Sequence, residues 1–265
     1  MSDSTDTPPP VQQPRQQPRE PRARGRPRGW DDKTDQNTIK SLDRAMAVLD
    51  HLSRHSGQPL SQLAGDLEQS PATVYRVLST LQLRGIVEFT PSDQHWHIGP
   101  QAFVIGARFL RRTSLVDRAR PILRRLMEAT GETANLGVVQ GASVLFVSQV
   151  ETHATIRAFF PPGTLSPLHA SGIGKALMAH MPPDRLDRLL AGASFDSFTP
   201  FTLTDPQALR ADLSATRARG YAIDAEEKTL GMRCIAAPVF DVHAEGAAGL
   251  SASLPDFKKP QEPLT

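Results

Sequence analysis

Within residues 38–98 the spacing of apolar side chains changes from helical to extended, and that order restricts the fold more than anything else in the chain. Ile39, Leu42, Ala45, Met46, Leu49 and Leu52 recur at intervals suited to one helix face, with Thr38 as a candidate N-cap and His55-Ser56-Gly57 as the stop. A short second helix is expected over 60–67. Ser70 then precedes Pro71. This pair opens a helix well, because a serine oxygen accepts from first-turn N–H groups and proline has no N–H to leave unpaired. The third helix is expected to run to about Arg84 and to stop at Gly85. Two short β-rich runs follow, Ile86–Thr90 and His95–Ile98, joined by the turn residues Pro91-Ser92-Asp93-Gln94. Three helices and a hairpin in this order predict a winged helix-turn-helix.

On a wheel of the third helix, Val74, Val77, Leu78 and Leu81 share one face, which should be core. The opposite face carries Ala72, Tyr75, Arg76, Ser79 and Thr80. A small, polar face with a central arginine suits the major groove, where arginine reaches guanine with two hydrogen bonds and hydroxyls take phosphates or base edges. Ser70 and Thr73 lie at the start of the helix, where backbone N–H groups meet phosphate. Ser61 and Gln62 on the preceding helix can anchor the backbone. The same residues also fit a plain three-helix bundle with a solvated face. Their order, completed by the hairpin, favours a double-stranded DNA operator as partner. Gln94, His95 and His97 are weaker candidates for phosphate contacts from the wing.

The chain's net charge of +2 is unremarkable, but its distribution is uneven. Residues 1–30 hold six arginines, three acids and seven prolines, too little apolar surface to fold. Residues 1–37 are therefore expected to form a disordered tail, whose Arg24-Gly25-Arg26-Pro27-Arg28 is either a minor-groove hook or a solvated extension. There is no signal-peptide pattern and no apolar run long enough for a membrane span, so the protein is expected in the cytoplasm, with no membrane partner. The single cysteine, Cys234, excludes an intrachain disulfide and a cysteine-rich zinc site. Enzyme readings fail one by one. Gly172-Ile173-Gly174-Lys175-Ala176 lacks the spacing and hydroxyl of a phosphate loop, and Ser171 has no nucleophile elbow around it. Cys234 has no neighbouring base in the sequence. No cofactor is expected.

After residue 100 helices are expected over about 100–111 and 114–130, with the domain junction near 112. Strands follow at Thr133–Gln140, Val144–Val150 and Ile156–Phe160. Helices are then expected from Ser171 to His180, over Leu186–Leu190 and over Asp205–Gly220. Tyr221–Asp224, Cys234–Phe240 and Ala248–Leu254 complete a set of antiparallel strands interrupted by helices.

Several stretches together resemble the isocitrate lyase regulator (IclR) family of bacterial transcription factors. They are KSLDRAMAVLDHL (40–52), SPATVYRVLSTLQLRGIVE (70–88), LHASGIGKALMA (168–179), RGYAIDAEEKTLGMRCIAAPVFD (219–241) and GLSAS (249–253), in the family's order over about 38–255. The resemblance implies an α+β chain with an N-terminal winged helix-turn-helix domain followed by a GAF-like α/β effector-binding domain. The partition is a tail over 1–37, a DNA-binding domain over 38–99, a linker helix over 100–113 and an effector domain over 114–265. It also implies a homodimer or a dimer of dimers, and a small carboxylic acid as effector. In relatives that bind glyoxylate or pyruvate, the ligand sits near a helix N-terminus beside an aspartate, a cysteine and two serines. The matching positions are Gly172, Ile173, Asp224, Cys234, Ser251 and Ser253.

Physical reasoning agrees with that transfer and leaves alternatives standing. Ser251 and Ser253 are two apart on a strand, so they share a face that is either a ligand wall or a solvated surface. Gly172 and Gly174 open a helix toward an anion or simply permit tight packing. Cys234 offers a weak S–H donor or is a small core residue. Asp224 is odd beside an anion, and either donates as an acid or orients its neighbours. Glu226 and Glu227 read as structural or loop-capping. Thr155, Ala158, Phe159 and Ser166 are expected on the apolar side of the pocket. Small, hydroxyl-bearing walls favour a short keto acid such as glyoxylate or pyruvate, with an aromatic acid as the alternative. A DNA-binding protein with a degenerate sensor is the competing reading of the whole chain. The chain departs from the family in a longer N-terminal segment and in lacking a recognisable last helix after the GLSAS strand. The effector domain is therefore expected to be less stable than its relatives'.

Overall fold

The computed structural model describes residues 38–112, 114–152, 154 and 158–255. The arginine-rich tail, Thr155 and the segment after Pro255 lie outside the described residues, and so do the expectations attached to them. Two compact units divide after Gln101.

The first unit contains α1 (Lys40–Ser53), α2 (Leu60–Asp66), α3 (Pro71–Gln82), β1 (Val87–Thr90) and β2 (His95–Ile98). Val48, Leu52, Leu63, Val74, Leu78 and Trp96 are fully or almost fully buried and form its core. Ser70 caps α3 as its sequence predicts, with its hydroxyl oxygen accepting from the Thr73 N–H at 3.2 Å. The hairpin pairs β1 with β2 antiparallel, and Gln58 joins Trp96 as a further bridge. Two details differ from the sequence expectation. Ile39, not Thr38, occupies the N-cap of α1, and it has no side-chain oxygen to offer. The apolar stripe of α1 is also wider than the core: α2 and α3 cover Val48 and Leu52, while Ile39, Leu42 and Met46 stay exposed.

In the chain order, α4 (Pro100–Arg112) follows the hairpin, and α5 (Leu115–Thr130) begins the second unit's helical layer. The sheet of that unit comprises β3 (Thr133–Gln140), β4 (Ser143–Val150), β5 (Leu165–Pro167), β6 (Ala222–Ala225), β7 (Met232–Phe240) and β8 (Gly246–Pro255). All pairings are antiparallel, in the order β5-β4-β3-β8-β7-β6. On one face α5 covers Leu136, Val147 and Ala248, with Leu123 at the centre of that layer. On the other lie α6 (Gly172–Met178) and α8 (Pro206–Arg219), with α7 (Pro183–Ala191) completing that side's apolar cluster. The expected strand over Ile156–Phe160 is not formed at 158–160, and 155–157 are outside the described residues. The edge belongs instead to β5, which the sequence disguises with Pro161, Pro162 and Pro167.

The fit of α6 against the sheet is close. Ile173 packs into a notch left by Gly137 and Gly249, where an added Cβ would meet its side chain at 3.3 and 2.6 Å respectively. A Cβ on Gly174 would stand 2.2 Å from the Leu168 carbonyl oxygen, a backbone atom that cannot step aside. For Gly174, tight packing is therefore the reason for glycine. Gly174→Ala is expected to destabilise the second unit by about 1–3 kcal/mol through overpacking, which denaturant unfolding of the full chain measures. An unchanged midpoint would mean that α6 can shift.

Candidate functional site

Two surfaces gather the residues singled out above. On the first unit, Ala72, Tyr75, Arg76 and Thr80 are exposed on α3, with Thr73 and Ser79 half-buried beside them. Ser61 and Gln62 are exposed on α2, and Ser70 at the cap is exposed as well. The buried side of α3 is the predicted one, except that Val77 is only partly covered. The hydroxyls are less free than the sequence suggests. Ser79 donates to the Tyr75 carbonyl and Thr80 to the Arg76 carbonyl, both at 2.8 Å. Ser70 and Thr73 share a hydrogen bond of 2.8 Å. Ser79 and Thr80 can still accept from a base amino group, whereas donating to a phosphate requires them to rotate first; of Ser70 and Thr73, one keeps its proton free. In the wing, Gln94 donates to the Pro91 carbonyl, while His95 and His97 turn toward the Asp93 carboxylate. The wing side chains are thus largely satisfied internally.

The second surface is a cavity between α6 and the sheet, with about 350 Å³ of empty space including its mouth. Gly172, Ile173, Asp224, Cys234, Ser251 and Ser253 all line it. Strand register explains why residues so far apart in the chain meet. Asp224, Cys234, Ser253 and Thr133 stand opposite one another across β6, β7, β8 and β3. Ala236, Ser251 and Asn135 form the adjoining row. Period-two alternation then turns both serines to the α6 side, while Leu250 faces the α5 layer.

Asn135, which the sequence reading missed, organises the serines. Its buried amide nitrogen donates to Ser251 Oγ at 3.4 Å and to Ser253 Oγ at 3.2 Å, while its oxygen accepts from Gln149 at 3.1 Å. A hydroxyl that accepts in this way keeps its own proton available for a ligand. Both serine hydroxyls also lie within hydrogen-bonding reach of Cys234. Burial, followed by the nearby Asp224, pushes the Cys234 thiol up to about 11, so it stays a neutral S–H group. Gly172 approaches it so closely that a Cβ there would stand 3.0 Å from the sulfur. Of Ile173, the side chain belongs to the core, so its main chain is the polar part it can offer.

Asp224 accepts the Glu227 N–H at 2.9 Å, and burial pushes its carboxyl above the usual range despite that bond and nearby Lys175. It therefore orients the β6–β7 loop. Glu226 caps the same loop by accepting the Gly231 N–H at 2.9 Å. Glu227 is buried against Lys175, 2.5 Å from Nζ, and Asp212 lies on the other side of that Nζ at 3.0 Å. Burial pushes Glu227 up to about 7 against the pull of the lysine. On the apolar side, Phe146 and Phe160 stack at 5.0 Å and line the cavity together with Ser166. Phe160 holds the place expected of Phe159, which is 62% exposed; Ala158 is buried but is not part of the described lining. Ser171 caps α6, and the nearby His169 bonds the Asp196 carbonyl.

The model for the IclR helix-turn-helix domain matches residues 41–91, and that for the bacterial transcriptional regulator IclR C-terminal domain matches residues 107–262. The chain belongs to the IclR family. The regulator BhcR of Paracoccus denitrificans is 58% identical over 224 residues, which cover 84% of this chain and 80% of that protein. The transcriptional repressor IclR of Escherichia coli is 37% identical over 220 residues, 82% of this chain and 80% of the relative. Among solved structures, an IclR homologue from Microbacterium hydrocarbonoxydans complexed with 4-hydroxybenzoate aligns with a TM-score of 0.70 and 25% identity, covering 84% of this chain and 91% of that one. As an IclR-family member, the chain is a transcription regulator, not an enzyme: it carries a DNA-binding helix-turn-helix and a C-terminal effector domain. Among the described residues no helix is long and apolar enough to cross a membrane.

Proposed function

We propose that the α6 cavity senses a short 2-keto acid, glyoxylate or pyruvate, and couples it to operator binding. The observation that carries this reading is the pair of serine hydroxyls, held as acceptors by Asn135 and left with protons to donate into a buried cavity. Asp224, whose burial favours its protonated form more than water would, faces the same cavity. The space enclosed away from the mouth is only about 20 Å³, well below the roughly 300–1,000 Å³ of most ligand sites, which favours the smallest acids. The narrowness of that space argues against a larger occupant such as the 4-hydroxybenzoate held by the Microbacterium relative.

On the first unit, Ser61, Gln62, Ser70, Ala72, Thr73, Tyr75, Arg76, Ser79 and Thr80 form the DNA-facing set. Exposed Leu42 and Met46 on α1, and Phe103 and Ile105 on α4, support assembly into a homodimer or dimer of dimers. A ligand that prefers one arrangement of such an assembly changes the spacing of its recognition helices. DNA as partner implies work in the cytoplasm. The domain partition at 38–99, 100–113 and 114–265 is retained as part of this reading.

Calorimetric titration of the full chain with glyoxylate, pyruvate and benzoate tests it. A keto acid should bind, and Ser251→Ala or Ser253→Ala should weaken binding about tenfold or more, the loss of one charge-assisted hydrogen bond. The single variants are preferable to the pair, which would strip Asn135 of both described acceptors and cost stability as well. Tight benzoate binding without keto-acid binding would overturn the proposal.

A further inference from the structure

We infer that Lys228, which rests on Phe198, is the counter-ion of the effector carboxylate. The inference rests on the reading of the cavity as a site for a small acid.

Lys228 is the only cation among the described residues lining the cavity, and Asp224 is the only acid. The other nearby lysine, Lys175, is engaged by Glu227 and Asp212 and is fully buried. A carboxylate entering beside Asp224 therefore finds two serine hydroxyls and one positive charge not engaged in an ion pair with a buried acid. Lys228 Nζ stands 3.2 Å over the centre of the Phe198 ring, with Asp196 as a more distant attraction. A ring face holds an ammonium less tightly than a partly buried carboxylate does.

The main chain around Lys228 is fixed, while its long side chain can swing. The Glu227 N–H is held by Asp224. Thr199 Oγ1 donates to the Glu226 carbonyl at 2.7 Å, and Thr202 Oγ1 donates to the Glu227 carbonyl at 2.6 Å. Thr199 directly follows Phe198 and Thr202 lies three residues further on, so the lysine's root and its resting place are tied together. Partial burial disfavours the ammonium, and an anion beside it offsets that penalty. The ligand class that this arrangement selects is a small monoanion, in preference to its neutral amide or ester.

Titrating the full chain with pyruvate and with pyruvamide, for wild type, Lys228→Met and Lys228→Arg, separates the outcomes. Wild type should bind pyruvate at least about tenfold more tightly than pyruvamide, about 1.4 kcal/mol. Lys228→Met should lower that preference several-fold without lowering the melting temperature, and Lys228→Arg should keep most of it. If wild type binds pyruvate and Lys228→Met keeps the same preference, this inference fails and the cavity reading stands. If wild type binds neither pyruvate nor glyoxylate, the cavity reading falls and takes this inference with it.

Discussion

Replacing Lys175 by methionine is expected to destabilise the effector domain by about 3–5 kcal/mol near neutral pH, because it leaves a buried carboxylate without its cation. Lys175 is 1% exposed, and the length of methionine preserves most of the packing of its stem. What it removes is the charge between Glu227 Oε1 and Asp212 Oδ2, with Asp224 close behind. Glu227 Oε2 already has no hydrogen-bond partner among the described residues, so little remains to compensate its ionised form. The pH dependence follows from the direction of its shift. Burial holds the folded carboxyl at about 7, above its ordinary 4.5, so between those values the folded state holds the proton more tightly than the unfolded state. Through this group, stability falls as pH rises from 4.5 to 7 and is regained as pH falls through that window. Without Lys175 the carboxyl should rise further. The deficit of Lys175→Met should therefore be larger at about pH 8 than at about pH 5. Lys175→Met with Glu227→Leu should recover at least half of it, since two apolar residues replace a buried pair more cheaply than one broken pair survives. Urea unfolding of the full chain at both pH values measures this. A single variant as stable as wild type at the higher pH would show that water reaches Glu227.

The first unit was legible because local signals agreed there. Ser70-Pro71 fixed the start of α3, the period placed Val74, Leu78 and Leu81 inside, and the turn at 91–94 set the hairpin. The stripe of α1 misled, since periodicity counts apolar residues but does not say whether the covering surface lies within the same unit. In the effector domain, strand alternation and family resemblance together located the lining serines, Asp224 and Cys234. What stayed hidden was long-range. Asn135 reaches its serines across more than a hundred residues of chain, and only the β3–β8 register brings them together. A hint existed, because Thr133 and Asn135 alternate with Ala134 and Leu136 in a central strand, so a polar face had to meet something polar. Lys175 gave a similar hint as the one charge in the apolar run Gly172–Met178. Lys228 and Phe198 gave none, because two distant loops had to be joined by Thr199 and Thr202 before their pairing existed.

Arg76→Ala is expected to weaken operator binding by about 1–3 kcal/mol per recognition helix, hence roughly 2–6 kcal/mol for a dimer that places two. The structure sharpens this expectation by sorting the donors on α3. Ser79 and Thr80 spend their hydroxyl protons on the Tyr75 and Arg76 carbonyls, and Ser70 and Thr73 are bonded to each other. Arg76 is exposed, no described side-chain bond holds it, and its guanidinium carries five donors in a fork that matches the guanine edge. If it reads a base, Arg76→Ala should lower affinity for an operator selected from a random library while binding to a scrambled duplex barely moves. If it only meets a phosphate, both duplexes should lose affinity equally, and the slope of log affinity against log salt should fall by about one unit per contact. Ser79→Ala and Thr80→Ala should each cost less than Arg76→Ala on the operator, because an acceptor-only hydroxyl contributes one neutral hydrogen bond at most. Anisotropy titrations of the full chain on both duplexes at two salt concentrations distinguish these results. A specificity ratio left intact by Arg76→Ala but collapsed by Thr80→Ala would move base reading from the arginine to the hydroxyl face one turn further along the helix.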